Sequence, residues 1–152
     1  MKYLQKDTKL LNRFVLSPKN ILITDNMDAK LNLGQCAYSF QDKNKIVDPQ
    51  FYSSEALNHR TGAFDKYNSD IWSYGILLSE LFSETLPDYD NMNHMHIGYR
   101  ISVLKEAPRY EIHEAQIEKI VQLCLNPISS KRPQFQQLIP ILNKIKENLY
   151  EK

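Results

Sequence analysis

The strongest pattern of apolar positions lies in the middle of the chain, between Ser69 and Phe82. This stretch, SDIWSYGILLSELF, is long enough for a helix and is apolar around nearly its whole circumference, whereas a surface helix keeps one polar face. We therefore predict a helix that the rest of the domain encloses, with Asn68 or Ser69 as its N-terminal cap. Its apolar positions are Ile71, Trp72, Tyr74, Ile76, Leu77, Leu78, Leu81 and Phe82.

Weaker patterns upstream of this helix predict a small β-hairpin. Residues 20–24 and 29–33 have strand character and flank the turn-forming residues 25–28. A short helix over residues 1–11 is expected before the hairpin. A long loop over residues 34–53 is expected after it, because no apolar period is sustained there.

Three further helices are predicted downstream, at about 91–104, 114–125 and 133–150. In the last of them, Pro133 fits the first turn, where its missing N–H costs nothing, whereas Pro140 should kink the helix. One hairpin and five or six helices together predict a mostly α fold of the α+β class. The helix at 114–125 has one apolar stripe, formed by Ile117, Ile120, Val121, Leu123 and Cys124.

Composition excludes several classes of function. The 152 residues suit one domain, 1–152, and 42% apolar with 24% charged residues is ordinary for a soluble globule. A net charge of +1 gives no electrostatic reason to expect a nucleic-acid partner. The sequence has neither a signal peptide nor a run long enough to span a bilayer, so we expect a cytoplasmic protein without membrane insertion.

Glycine and cysteine narrow the chemistry further. The two cysteines, Cys36 and Cys124, have no metal or redox spacing, and we expect them to be reduced. The four glycines lie so far apart that neither a GxGxxG loop nor a Walker loop can be written with them. The chain therefore lacks a glycine-rich phosphate cradle of its own.

Five motifs follow one another in the order known from the large C-terminal lobe of a protein kinase. The similarity covers essentially the whole chain, and the motifs agree in both order and spacing. RFVLSPKNILI resembles the catalytic loop, AKLNLG the strand before the metal-binding triplet, SSEAL the end of the activation segment, SDIWSYGILLSEL the central helix, and CLNPISSKRPQF the penultimate helix with its Arg-Pro turn. This resemblance implies a kinase C-lobe with a small β-hairpin and a buried central helix.

The small N-terminal lobe of a kinase has no counterpart in the sequence. With it go the phosphate loop and the strand Lys that hold ATP. We expect either that the chain is a fragment or truncated form, or that a partner supplies the missing lobe.

Within the kinase-like proteins, the sequence is most similar to the integrin-linked kinase group, a pseudokinase family. The stretches that carry this likeness are DNMDAKLNL with YSFQ, and NMNHMHIGYR with RPQFQQLIPILNKI. The resemblance implies a catalytically inactive scaffold at cell-adhesion sites. In this group, the corresponding helix and the activation segment dock a calponin-homology domain of parvin, which makes a parvin-type domain the expected partner.

The catalytic loop keeps its shape-forming residues but not its chemistry. When Asn20 is aligned with the loop Asn, Arg13, Phe14 and Val15 fall where the His-Arg-Asp triplet stands in a kinase. Val15 cannot accept a proton, and Ser17 replaces the Lys that steadies the transferred phosphate. We therefore expect no phosphoryl transfer.

The metal-binding triplet can be placed in three registers, 32–34, 33–35 or 35–37, and none of them contains a carboxylate. Integrin-linked kinases keep an Asp there, so the sequence departs from that group as well. Asn20 alone would hold a divalent cation poorly, because hard cations prefer anionic oxygens; its simpler role is that of a turn residue. We expect no metal and no cofactor, and weak ATP binding only if a small lobe is supplied.

The residues that maintain a kinase lobe are nevertheless present. Glu55 and Arg132 match a buried ion pair, and Asp70 matches the central-helix Asp that accepts hydrogen bonds from the catalytic-loop backbone. Trp72 is expected to be structural as well. The alternative is that these charges are ordinary surface residues.

A partner-binding face is predicted on the helix at 91–104. Met and Tyr are favoured at protein interfaces, and Met92, Met95, His96 and Tyr99 are spaced by three or four residues. The alternative is that this face packs on the core. The predicted site consists of Met95, His96, Tyr99 and Arg100, with the activation-segment residues Phe51 and Tyr52 beside it.

Three functions remain open at this point. The first is an inactive scaffold that binds a protein partner. The second is a fragment of an atypical active kinase of the tyrosine-kinase-like group, which the absence of a carboxylate at Val15 and in 32–37 disfavours. The third is a truncated product without function.

Overall fold

The computed structural model describes residues 16–32, 46, 48–58, 64–83, 85 and 87–150, with side chains up to residue 148. The helix predicted over 1–11 lies outside these residues, as do Arg13, Phe14 and Val15. Most of the predicted loop over 34–53 and most of the metal-triplet registers also lie outside them.

The described part of the chain is mostly helical, with one two-stranded antiparallel sheet. The predicted mostly α fold with a small hairpin is therefore confirmed. The strands are β1 (Ile21–Ile23) and β2 (Ala29–Leu31), and the helices are α1 (Ser54–Asn58), α2 (Lys66–Phe82), α3 (His94–Tyr99), α4 (Ala115–Cys124) and α5 (Phe135–Tyr150). Three 3₁₀ turns (Pro18–Asn20, Pro49–Phe51, Ser129–Lys131) and a π-helix (Arg100–Leu104) complete the set.

The hairpin forms where the sequence predicts it, with shorter strands. Ile21 pairs with Leu31, and Ile23 with Ala29. A tight turn closes it, in which the Met27 N–H donates to the Thr24 carbonyl at 2.8 Å. Met27 has a φ of 63°, in the left-handed region that few residues other than glycine adopt.

The central helix α2 begins at Lys66, three residues before the predicted start. Its cap is Asp65, whose carboxylate accepts hydrogen bonds from the backbone N–H of Asn68 at 3.2 Å and from the Asn68 side chain at 2.8 Å. The prediction of Asn68 or Ser69 as the cap is therefore wrong. The reason is that the first turn is polar, so the apolar pattern begins only after the helix has started.

Enclosure of α2 is confirmed for its middle and wrong for its end. Ser69–Ser79 is buried apart from Tyr74, which is half-buried, whereas Leu81 is 68% and Phe82 37% exposed. The helix packs mainly against α4. Trp72, with 2% exposure, is among the largest fully buried side chains, as its predicted structural role requires.

The other helices differ from prediction at their boundaries. The helix predicted at 91–104 is α3, capped by the Asn93 side chain, followed directly by the π-helix. Helix α5 continues across Pro140, and Pro133 lies before its first turn rather than in it. On α4, Leu123 is exposed and does not belong to the buried stripe. Helix α1 was not predicted, because five residues are too few to show a period.

The part of the chain that the structure describes contains no helix that is both long enough and apolar enough to cross a membrane.

Gly75 marks the closest approach between α2 and α4. A Cβ atom at this position would lie 2.7 Å from Cys124 Cβ and 2.9 Å from Leu125 Cδ2. We predict that Gly75→Ala destabilises the fold by about 1–3 kcal/mol, because overpacking outweighs the better helix propensity of Ala. The melting temperature should fall by roughly 3–10 °C, measured by circular dichroism.

Gly98 on α3 is the matched control for this prediction. A Cβ atom there would have its nearest neighbour, Pro49 Cβ, at 3.9 Å, an ordinary contact. Gly98→Ala should leave the melting temperature unchanged or raise it slightly. An equal loss in both variants would contradict the close contact between α2 and α4.

Candidate functional site

The predicted partner-binding helix presents an exposed face. Met95 is 86% and Tyr99 50% exposed, and His96 is exposed as well. The buried side of the same helix is formed by Ile97 and by Ile101 on the π-helix, which both belong to the core. The alternative, that Met95 and Tyr99 face the core, is therefore wrong.

The sequence predicts Arg100 as a contact residue of this face, but its side chain is held in two ion pairs instead. Its Nε donates to Glu106 Oε2 and its Nη2 to Asp88 Oδ2, both at 3.0 Å. The side chain is only 17% exposed, and Nη1 lies 3.8 Å from the sulfur of Met92, which packs against the core. Because charge-assisted hydrogen bonds are directional, Arg100 fixes the π-helix to the loops on either side of α3.

Phe51 and Tyr52 are buried, at 3% and 2% exposure, and do not lie beside the face as surface residues. The backbone around them is fixed to α2, because Trp72 Nε1 donates to the Gln50 carbonyl at 2.9 Å and Ser73 Oγ to the Phe51 carbonyl at 2.6 Å. The sequence predicts a loop over this segment, and loops normally lie at the surface. Its aromatic residues instead complete the core.

Two exposed apolar residues were not among the predicted residues of the binding site. Val103 is 56% and Leu104 47% exposed, and both lie on the π-helix. The signal was present in the spacing, because Met95, Tyr99 and Val103 follow one another at intervals of four. This spacing predicts that the exposed face extends onto the π-helix and is more aliphatic there.

The structure contains the predicted ion pair between Glu55 and Arg132. Arg132 Nη1 lies 2.5 Å from Glu55 Oε1, and Nη2 lies 3.1 Å from Oε2, a bidentate arrangement. The same guanidinium donates to the carbonyls of Asn126 and Asn68, each at 2.8 Å. It also lies 5.2 Å from the ring centroid of Trp72. The alternative, that these are ordinary surface charges, is wrong for Arg132, whose side chain is fully buried.

The electrostatics of the pair favour the charged form of Glu55. Burial by itself raises the pKa of this carboxyl, but hydrogen bonds and charge from Arg132 outweigh burial and leave the pKa below its ordinary value. A depressed carboxyl pKa contributes stability above the pKa of the unfolded chain. That contribution is lost as the pH falls through the lower pKa of the folded state.

Asp70 is buried at the start of α2, and burial raises its pKa to about 7 against the opposing charge of Lys66. The described part of the chain provides no hydrogen bond to its Oδ1 atom. The predicted donors are backbone groups of the catalytic loop, and Arg13, Phe14 and Val15 of that loop lie outside the described residues. The role of Asp70 stays a prediction.

Two described residues of the degenerate catalytic loop, Ser17 and Asn20, are buried and bonded to their neighbours. The Asn20 N–H donates to the Ser17 carbonyl at 3.0 Å, and the Asn20 carbonyl accepts from the Asn32 N–H at 2.9 Å. These bonds join the 3₁₀ turn to the hairpin, as expected for a turn residue.

The expectation that the chain holds no metal and no cofactor stays a prediction. Across the ranges that the structure describes, no three His, Cys, Asp or Glu side chains are grouped to hold a metal ion. Asn20, the single surviving position of the family's metal-binding set, is buried and neutral, and a hard cation needs anionic oxygen ligands.

Comparison with known proteins gives one family and several relatives. The sequence profile described as protein tyrosine and serine/threonine kinase matches residues 1–142. The integrin-linked protein kinase homolog pat-4 of Caenorhabditis elegans is 31% identical over 148 residues, covering 95% of this chain and 31% of the relative. Scaffold protein ILK of Homo sapiens is 27% identical over 150 residues, covering 97% of this chain and 32% of the relative.

Other relatives include a protein named as an inactive kinase and proteins named as kinases without that qualifier. A probable inactive serine/threonine-protein kinase of Dictyostelium discoideum is 29% identical over 144 residues, covering 85% of this chain and 12% of the relative. Others are named tyrosine-protein kinases. The chain spans about a third or less of the length of these curated relatives.

We predict that Glu55→Ala and Arg132→Ala each lower the free energy of unfolding by about 3–5 kcal/mol at neutral pH, because each leaves a charge without its partner. The double variant should lose much less than the sum of the two, since the second change removes a charge that is already unpaired. Denaturant unfolding of the four proteins measures this coupling.

Glu106→Ala serves as the control, because it also breaks an ion pair to an arginine. Glu106 is half exposed, at 50%, and such pairs contribute about 1 kcal/mol or less. Additive losses for Glu55 and Arg132 would mean that the two charges do not stabilise each other.

Proposed function

This chain belongs to the protein tyrosine and serine/threonine kinase family, and we propose that it serves there as a non-catalytic scaffold that binds another protein. The observation that carries the proposal is the exposed face of α3, where Met95 is 86% exposed on a helix whose other side is buried. The relatives named scaffold protein ILK and probable inactive serine/threonine-protein kinase support this role.

The absence of a proton acceptor supports a role without catalysis. Val15 stands where the loop Asp would take the proton of the substrate hydroxyl, and Ser17 where the loop Lys would hold the phosphate. Since phosphoryl transfer depends on positioned charges rather than on shape alone, the surviving Asn20 does not restore it.

The proposed face is preorganised for binding. Ile97 and Ile101 fix the helix to the core, and Arg100 is held between Asp88 and Glu106. A surface that is already ordered loses little conformational entropy on association, so more of the contact energy appears as affinity. A large flexible side chain such as Met95 adapts to an apolar partner surface.

The partner that we propose is a parvin-type calponin-homology domain in an integrin adhesion complex on the cytoplasmic side of the membrane. Support comes from the likeness to the integrin-linked kinase group over the segment that forms α3. Met95, His96 and Tyr99 are the proposed contact residues, with Arg100 as their structural support.

The test is a binding titration of the double variant Met95→Ala/Tyr99→Ala with a parvin-type domain. Truncation of two central contacts should weaken binding at least tenfold, equivalent to about 1.4 kcal/mol or more. The melting temperature should stay nearly unchanged, because both side chains are largely exposed.

The matched control is Leu123→Ala, which removes a side chain of similar exposure, 50%, from α4. It should leave the affinity unchanged. Unchanged affinity in the double variant would refute the proposed site, and a fall in its melting temperature by several degrees would assign the two residues to the fold instead.

A further inference from the structure

An unusual turn follows α3, the helix that we propose binds the partner. The segment Arg100–Leu104 is a π-helix that continues α3 without a break. It ends at Lys105, which has a φ of 59° in the left-handed region that favours glycine. π-turns are rare, and they occur frequently at functional sites.

The wide turn changes which side chains share the exposed face. In an α-helix, residues four apart drift gradually around the axis, because one turn takes 3.6 residues. The i→i+5 hydrogen bonds of a π-helix take more residues per turn. From this geometry we expect Val103 to lie closer to the line of Tyr99 and Met95 than it would in a continuous α-helix, with Leu104 next to it.

Helix α1 provides the contacts that hold this turn from the side. Asn58 Nδ2 donates to the Ser102 carbonyl at 2.8 Å. Lys105 Nζ reaches Ser54 Oγ at 3.3 Å. Because the last carbonyls of a helix lack partners within it, the Asn58 amide supplies from another element what the helix cannot supply itself.

We propose that Asn58 is a positioning residue for the docking surface, and that it holds the π-turn in the form that adds Val103 and Leu104 to the contact made by Met95 and Tyr99. The occupant is the apolar surface of the parvin-type domain, so this inference rests on the proposed function. An apolar partner surface fits because Val103 and Leu104 are aliphatic and exposed, at 56% and 47%, and Met95 and Tyr99 are exposed as well.

Two isosteric changes separate this role from a general effect of charge. Asn58→Asp keeps the shape and removes the donor, while Gln136→Glu adds the same charge at an exposed position on α5. In the unbound chain, amide hydrogen exchange at 102–106 should become roughly threefold to tenfold faster in Asn58→Asp, the range expected for losing one hydrogen bond. It should not change in Gln136→Glu.

Binding titrations test whether the π-turn contributes to partner binding. Asn58→Asp and Val103→Ala should each weaken binding of the parvin-type domain at least threefold, with little change in melting temperature. Val103→Ala is expected to leave exchange at 102–106 nearly unchanged, which distinguishes a contact residue from a positioning residue.

The outcomes are distinguishable from failure of the proposed function. If Met95→Ala/Tyr99→Ala weakens binding but Asn58→Asp and Val103→Ala do not, the inference is overturned and the proposed function stands. Unchanged exchange at 102–106 in Asn58→Asp overturns the positioning role whatever the partner. If the unaltered chain does not bind the domain, the proposed function and the docking role both fail, and exchange alone decides whether Asn58 holds the turn.

Discussion

The fully buried guanidinium of Arg132 is the interaction on which the rest of the structure depends. It joins Glu55 on α1, the first turn of α2 through the Asn68 carbonyl, and the end of α4 through the Asn126 carbonyl, and it faces the Trp72 ring. A charge taken out of water is tolerated only when its hydrogen bonds are satisfied. These three segments and the one that carries Arg132 must therefore meet in this one arrangement, and displacing any of the three leaves the guanidinium without one of its partners.

From this junction, the order extends to the surface that we propose as the docking site. Helix α1 carries Glu55 towards Arg132 and Asn58 towards the π-turn, while α2 fixes the segment at 49–53 through Trp72 and Ser73. None of these contacts uses a residue of the catalytic loop. The loss of the proton acceptor that the resemblance implies for Val15 is thus compatible with the binding surface that we propose.

Sequence reasoning located the parts that have a strong pattern. The enclosed helix followed from its apolar residues, and Glu55 with Arg132 followed from motif context, since neither the pairing nor the burial of a charge is visible in composition. Prediction from the sequence failed where contacts between distant residues determine the local structure. A polar cap at Asp65, the five-residue α1, burial of Phe51 and the anchoring of Arg100 depend on partners distant in sequence. A π-turn has no period that distinguishes it from an α-helix over five residues.

We propose that this lobe keeps its fold without the chemistry of its family. The most direct measurement is transfer of the γ-phosphate of ATP to generic substrates or to the chain itself, at high protein concentration, for the unaltered chain and for Asn20→Ala confirmed as folded by circular dichroism. We expect no transfer that depends on this domain, so any residual signal should be equal in both proteins. Transfer that the unaltered chain performs and the folded Asn20→Ala variant has lost would contradict the account.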